Sequence, residues 1–507
     1  MKITTLLPGI CFGIVSFSIF AQQDSNNTLF PCHFTYEGAF LLDAGPTVDA
    51  DGKWNYGGEA FAYYREGDPD GPNDGYPGSL FGSGFEENDY LAEVSIPAPV
   101  ISPTKSLADL PKTTPLQGFA NPFASLPGYQ RIGIGGLLCL PAQGQQDSAK
   151  LYANLCDDYK SLPNAVTMSW MDLDLSNPNI AGFWRAGRSI EWNIGRYMFE
   201  IPKSWADVNT PGRILASGRM RNWGGMGPNL FAYAPWNENN PPVSGDTLDS
   251  VTTLLEYGTS EQEEDRGFSI CSWYRGGAWI TVGNRSAIII YAQQNYSLDW
   301  SYFSGPFGAG RYPSLLFYDP ADVADVVQGR KQSFGPKWYA RKNLDIFFFG
   351  KKKAVGGNKS MDDGFFQPGG IAYDRERGIV YVAQTHVSSN AFKPIIHVFR
   401  IDTMVTARAE TTHPVEVRTF DLTTFPNPFN AQVTIALWPV SFGRMPQKEN
   451  IVLDIHDIRG IHVTSIHSLP DKPYKFTWDA GVYPSGTYLV RAKIGKSVVV
   501  KAVTLLK

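Results

Sequence analysis

Charge is scarce in this sequence. Of its 507 residues 18% are Asp, Glu, Lys or Arg, and 49 acids against 44 bases leave a net charge of -5. No basic excess is present to neutralise phosphates, so nucleic acid is not an expected partner. Histidine and cysteine are scarcer still, at seven and five. No CxxC pair, no Cys/His set with zinc spacing and no G-x-S-x-G elbow occurs, so the usual signs of a zinc site or a serine nucleophile are missing. The GIGG stretch at 133–136 lacks the lysine and helix of a phosphate-binding loop, and its glycines fit close strand packing instead. Helical periodicity is nearly absent, and after Phe20 no apolar run is long enough to span a bilayer.

What is abundant is glycine (50), proline (36) and aromatic side chains (13%), a balance that favours strands and turns over helices. At the start, Lys2 precedes an apolar stretch from Ile3 to Phe20 and then Ala21, which predicts a secretory signal over residues 1–21. Export permits disulfides among Cys32, Cys139, Cys156 and Cys271. Cys139 and Cys156 sit on neighbouring apolar runs, GLLCLPA and LYANLCDD, that can pair as adjacent strands. They are the favoured bridge, with buried thiols as the alternative.

From Phe30 to Asp402 the chain is a series of short apolar or alternating runs separated by turn residues. The clearest unit places strands at Gly370–Asp374, Ile379–Gln384 and Ile395–Ile401 around the turn RERG. The same grammar recurs at Glu59–Tyr64, Ser79–Ser83 and Tyr90–Ile96, and again at Phe268–Trp273, Ser286–Ala292 and Leu315–Tyr318. Locally connected units of this kind predict an all-β fold, a β-propeller over residues 30–402 with roughly six blades, five or seven remaining open. Phe34–Leu42 has no unit of its own, so it is expected to complete the last blade as its outer strand. A polar connector at 403–419 then leads to a second unit at 420–507.

The segments GGEAFAYY at 57–64, YLAEVSIPAPV at 90–100 and GGIAYDRERGIVYVAQ at 369–384 resemble those of exported bacterial propellers with no assigned activity. That resemblance implies a fold and no chemistry. The tail is more specific. It reads FPNPFN at 425–430, VTIALW at 433–438, a D-x-x-G turn at Asp457 and Gly460, a W-D step at Trp478, and Ser485, Gly486 and Tyr488 before a last basic-apolar strand. This order resembles the immunoglobulin-like C-terminal sorting module of the type IX secretion system. The resemblance implies a small β-sandwich, outer-membrane secretion machinery as a partner, and a protein secreted from, or held at the outer surface of, a Gram-negative-type bacterium. His456 stands where an aromatic is usual, and Phe442–Asn450 is an inserted loop.

Two places could hold a metal. The turn DPDGPNDG at 68–75 gathers Asp68, Asp70, Asn73 and Asp74, hard oxygen donors suited to calcium, although turns are built from the same residues. The second place is the propeller axis, where Glu59, Asn229, Asp265 and Gln367 are expected to project from the starts of inner strands. Of the histidines, His397 alternates with Ile396 and Val398 and reads as a strand residue, whereas His386 follows a strand. Trp54, Tyr56, Trp184, Trp192, Trp223, Trp236, Trp273, Trp300 and Tyr302 lie near turns, where they either pack between blades or stack on a ligand. With no catalytic residue indicated, the expected function is a surface recognition module for an extracellular glycan or protein. The alternative is a metal-dependent hydrolase with an axial ion.

Overall fold

The computed structural model describes residues 27–43, 53–68, 71, 74–85, 88–156, 168–187, 194–220, 227–258, 268, 272–295, 311–350, 367–385, 393–403, 420–439, 452–458, 461–467, 475–494 and 497–507. The predicted signal therefore lies outside the described residues, as does most of the connector.

The fold is all-β, built from several antiparallel sheets. Strand β1 (Phe34–Leu41) comes first, and the next four strands, β2 (Phe61–Tyr64), β3 (Ser79–Ser83), β4 (Leu91–Ser95) and β5 (Pro115–Ala120), form a sheet in that order. The second sheet runs β6 (Ile134–Leu140), β7 (Lys150–Leu155), β8 (Met168–Met171) and β9 (Ala181–Ala186). In the third are β10 (Arg196–Glu200), β11 (Leu215–Gly218) and β12 (Asn229–Tyr233). The chain then makes a two-residue excursion, β13 (Thr247–Leu248), which pairs in parallel with β9, before β14 (Thr252–Glu256) completes the third sheet. The fourth holds β15 (Trp273–Val282), β16 (Arg285–Asn295), β17 (Arg311–Tyr318) and β18 (Ala340–Asn343). In the fifth, β19 (Gln367–Asp374), β20 (Ile379–Thr385) and β21 (Ile395–Ile401) accept β1 as their outer strand. Phe34 pairs with Ile401 and Leu41 with Ile395, so the expected partner of the orphan N-terminal strand is the one observed.

The five first strands are neighbours in a cycle. β2 lies beside β6, β6 beside β10, β10 beside β15, β15 beside β19, and β19 beside β2. Five apolar cores sit between successive sheets in the same cyclic order. β16 illustrates why its sequence is a continuous apolar run: Ile288 and Ile290 enter the core shared with the third sheet, and Ile289 and Tyr291 the core shared with the fifth. Side chains alternate across a strand, so a sheet covered on both faces needs apolar residues at every position.

The sequence reading differs from this structure in three respects. The described residues hold five sheets here where about six blades were favoured. The strands β10, β11, β12 and β14 make one sheet, and β13 is spent on the edge of its predecessor. The inner strand of the fourth sheet is Trp273–Val282, whereas the reading stopped at Trp273. Gly276 and Gly277 break the apolar pattern there, yet their lack of a Cβ admits Ile371 and Phe199 from the flanking strands. The Cys139–Cys156 bridge is not formed. β6 and β7 do pair, but Cys139 stands opposite Leu151 while Cys156 lies beyond the far end of β7, next to Gly133. That offset exceeds the ~7 Å Cα separation a disulfide tolerates.

The C-terminal strands β22 (Phe420–Phe425), β23 (Gln432–Pro439), β24 (Val452–Asp457), β25 (His462–His467), β26 (Lys475–Asp479), β27 (Gly486–Ile494) and β28 (Ser497–Leu505) form two sheets, ordered β22-β23-β26 and β25-β24-β27-β28. Val433, Ile435 and Trp478 from the first meet Leu453, Ile455, Tyr488, Val490 and Val503 from the second in one core. The Tyr488 hydroxyl donates to the Pro484 carbonyl at 2.7 Å, the corner hydrogen bond of immunoglobulin-like sandwiches.

Strand β1 is also tied into its sheet by a polar chain. His397 Nε2 is 3.0 Å from Gln384 Oε1, and His397 Nδ1 is 3.1 Å from the Tyr36 hydroxyl. Gln384 in turn pairs with both backbone groups of Phe349, and the Phe348 ring stacks on the imidazole. The amide oxygen can only accept, so Nε2 carries a proton. Burial holds His397 well below its ordinary 6.5, at about 3.

Two outcomes follow from this arrangement. Replacing Phe34–Leu41 with a Gly/Ser linker exposes the β21 edge and empties the Phe40 site, a loss of at least the ~3–5 kcal/mol of a single buried Phe→Ala change. The melting transition of the purified chain should drop or disappear. The His397 effect has a defined sign. Between pH 6.5 and about 3 the unfolded chain takes up a proton that the folded chain refuses, so stability is lost as pH falls through that window. The slope is at most ~1.4 kcal/mol per pH unit for one proton. Urea midpoints of wild type should fall between pH 7 and pH 4.5 more steeply than those of His397→Gln.

Candidate functional site

The centre at which the five first strands meet is shaped by a shared irregularity. The register slips by a residue between Ile134 and Gly136 in β6, Arg196 and Met198 in β10, Tyr274 and Gly276 in β15, and Pro368 and Ile371 in β19. Ahead of β2 the Gly58 amide donates to the Ser83 carbonyl and the Ser83 amide to that of Ala60, leaving Glu59 as the extra residue. Such bulges re-aim side chains that a regular strand would bury between sheets. Glycines let the strands close up. A Cβ on Gly135 would stand 2.1 Å from the Gly195 carbonyl oxygen, and one on Gly369 2.4 Å from that of Gly58.

Into this space project one acid and two bases. Glu59 Oε2 accepts from Arg196 Nη1 at 2.5 Å, and Glu59 Oε1 forms an ion pair with Arg275 Nη1. All three are buried, at 2%, 5% and 5% exposure. Arg275 also lies over the Trp273 ring, 5.0 Å from its centroid. Burial lowers Arg275 to about 9, which still leaves it protonated at neutral pH. The void that remains, lined by Glu59, Tyr197, Arg275 and the strand glycines, measures about 10 Å³, room for about one water. A neighbouring void between Glu59, Ser83, Phe85 and Asp89 holds none.

Of the expected axial ligands, the described side chains of Glu59 and Asn229 are not brought together as a metal site. Glu59 is central, but its two oxygens are engaged by guanidinium groups. Asn229 opens β12, the third strand of its sheet, so it is not on an inner strand; its side chain is buried, with neither amide atom hydrogen-bonded. Gln367 begins β19 opposite Thr385, and Asp265 lies outside the described residues. Among the described residues no group of three or more His, Cys, Asp or Glu is placed to hold a metal. In the 68–75 turn, Asp68 accepts from the Gly71 amide and Asp74 from the Tyr76 amide, the local bonds of a turn; Asp70 and Asn73 lie outside the described residues. Sequence reading missed Arg196 and Arg275. The available signal was a charge beside glycine at three of the five inner strand starts, in GGEA, IGRY and YRGG.

The aromatic candidates divide. Trp54, Trp184 and Trp236 are buried between sheets and Trp273 is half-buried, while Trp192, Trp223, Trp300 and Tyr302 lie outside the described residues. A different cluster is partly open to solvent where the loops that lead into β2 and join β3 to β4 meet β5, whose Phe119 also packs edge-on against the buried Trp54. Tyr56, Phe85, Tyr90 and Phe119 are half-exposed, and the Lys53 ammonium lies 5.4 Å from the Tyr90 centroid and 5.9 Å from that of Phe119.

In the C-terminal module the motif residues are structural. Asp457 accepts from the Ile461 amide to close its turn, Trp478 fills the core, Ser485 accepts from the Lys507 amide, and Tyr488 makes the corner bond. Residues 423–505 match the secretion system C-terminal sorting domain family. The carboxyl-terminal module is thus of the type IX secretion-sorting kind; the match does not extend to the five sheets before it. A solved structure described as "Biofilm associated protein - BSP domain" aligns over 74% of this chain and 81% of that one, at 11% identity and a TM-score of 0.15, too slight a likeness to carry an argument. No curated protein matches the chain. A sorting module of this kind marks a secreted or cell-surface protein that interacts with the type IX machinery, and no described helix is long and apolar enough to cross a membrane.

Glu59→Gln removes the one acid between two buried guanidinium groups, and breaking such a pair costs ~3–5 kcal/mol because an uncompensated charge stays behind. Denaturant unfolding of the variant should show a loss of that size. Elemental analysis of the purified chain should give the same metal content with and without the substitution; an ion lost in the variant would reinstate a metal at the axis.

Proposed function

We propose that residues 34–401 form a five-bladed β-propeller acting at the cell surface or in the medium as a recognition module for an extracellular glycan or protein, delivered there by the C-terminal sorting module. The cyclic adjacency of the five first strands, and the five cores between consecutive sheets, support the propeller reading. The observation that carries recognition over catalysis is the ion-paired centre. The position an axial ion would need is taken by Arg196, Glu59 and Arg275, and the space left there admits no substrate. Binding then falls to the rim. The half-exposed rings of Tyr56, Phe85, Tyr90 and Phe119 beside Lys53 supply flat apolar faces next to a cation, the combination that stacks on sugar rings and on peptide segments alike.

The purified chain, screened on a glycan array and against the surface-protein fraction of its host, should retain a ligand with wild-type rim residues. Tyr56→Ala with Tyr90→Ala should weaken that binding by about tenfold or more, as expected when aromatic anchors are truncated, while leaving the melting temperature nearly unchanged. Retained binding in the double variant would move the contact surface elsewhere.

A further inference from the structure

The last strand of the sorting module is an edge strand, and half of its outer side is already taken. Phe429 pairs with Leu505 in parallel: its amide donates to the Thr504 carbonyl at 2.9 Å, and its carbonyl accepts from the Leu506 amide at 2.8 Å. Two residues earlier, the Asn427 side chain imitates a strand. Its Nδ2 donates to the Ala502 carbonyl at 3.1 Å and its Oδ1 accepts from the Thr504 amide at 2.9 Å. The FPNPFN segment therefore caps the edge from Ala502 to Leu506.

These four bonds fix the orientation of the remainder. Along an antiparallel strand successive residues direct both backbone groups alternately to one side and the other. With Ala502, Thr504 and Leu506 facing outward, Val500 and Val498 do so too, whereas Val499 and Lys501 face β27, where Lys501 is paired with Val490. Among the described residues no strand hydrogen-bonds to Val498 or Val500 on that side, although β22, which leads into the FPNPFN cap, packs close to β28. Val500 is 53% exposed, and Arg491 and Lys493 stand opposite Val500 and Val498 on β27.

We propose that the uncapped stretch Val498–Ala502 is where the secretion machinery engages the module, by adding an extended, apolar and acidic strand of its own to this edge. An unpaired row of backbone donors and acceptors is satisfied best by another extended backbone. The occupant continues the line that Asn427 and Phe429 already lay along the same edge, and acidic side chains on it complement the exposed Lys493 of β27, the neighbouring Arg491 being already paired with Asp454. This inference rests on the sorting role of the module.

The test is export of the full chain in a bacterium that carries the type IX machinery, alongside thermal melting of the same purified variants. Val500→Pro deletes an outward N–H and no bond to β27, a position at which an edge strand accepts proline. The expected result is an unchanged melting temperature with export reduced at least about tenfold, a recognition loss of ~1.4 kcal/mol. Val498→Pro should behave alike, and Val499→Pro, whose N–H faces β27, should unfold the module. Normal export of both outward variants overturns the proposal, as does unfolding by both, since that contradicts the outward assignment. A dimer of the full chain in solution that Val500→Pro dissociates without affecting export assigns the edge to a second copy and also overturns it. Deletion of 420–507 separates the two levels. A truncated chain that is still exported refutes the sorting role itself, whereas retention of the truncated chain with normal export of Val500→Pro refutes the edge alone.

Discussion

Where β2, β6, β10, β15 and β19 come together there is room for backbone and little else, and this crowding governs what the sheets can do. Gly135 and Gly369 lie so close to the carbonyls of the neighbouring strands that a methyl group at either would overlap them. The slip of one residue in each inner strand follows from the same constraint. It bends the strand away from the centre and frees a side chain to point inward, and in three of the five sheets that freedom places a charge near the middle.

A buried charge is stable only when paired, and the centre meets that condition by sharing one carboxylate between two guanidinium groups from two other sheets. The triad joins the first, third and fourth sheets across the middle, while the apolar cores join each sheet to the next around the outside. Other polar links work between neighbours. Asp89 gathers the Tyr129 hydroxyl and the amides of Ile132 and Gly133, tying the first sheet to the start of the second. Gln117 bridges Glu93 to the backbone of Leu173 and Leu175. These bonds add specificity of register to cores whose aliphatic contacts are tolerant of sliding.

The C-terminal module solves a different problem. A two-sheet sandwich of this size has exposed edges, and the most dangerous is the last strand, with three consecutive valines at 498–500. The FPNPFN segment covers half of that edge and leaves the other half open. In the preceding sheets the comparable hazard, the outer side of β21, is removed entirely by β1. One chain thus contains an edge that is closed and an edge that is kept.

Local pattern carried much of this architecture. Apolar runs between turn residues located many of the strands, because β-branched and aromatic residues covered on both faces leave a continuous apolar trace, but strand ends that carry glycine, proline or polar residues, as in β15, β17 and β19, fell outside it. The motif order of the tail identified the sorting module because most of its described motif residues serve a local turn, cap or corner, with Trp478 filling the core. The absence of a strand partner for Phe34–Leu42 was enough to assign it to the last sheet. What the sequence could not determine depends on which distant residues meet. That Glu59 lies between Arg196 and Arg275 follows from the circular arrangement of sheets far apart in the chain, and a lone acid beside glycines looks the same whether it faces a metal or two arginines. The separation of Cys139 from Cys156 depended on register, which shifts a residue to the other end of a hairpin without altering composition. Sheet number was decided by pairing, since β10, β11, β12 and β14 joined one sheet while the short β13 went to the edge of β9. Pattern reports the faces of each strand, and only the assembled sheets report what stands opposite them.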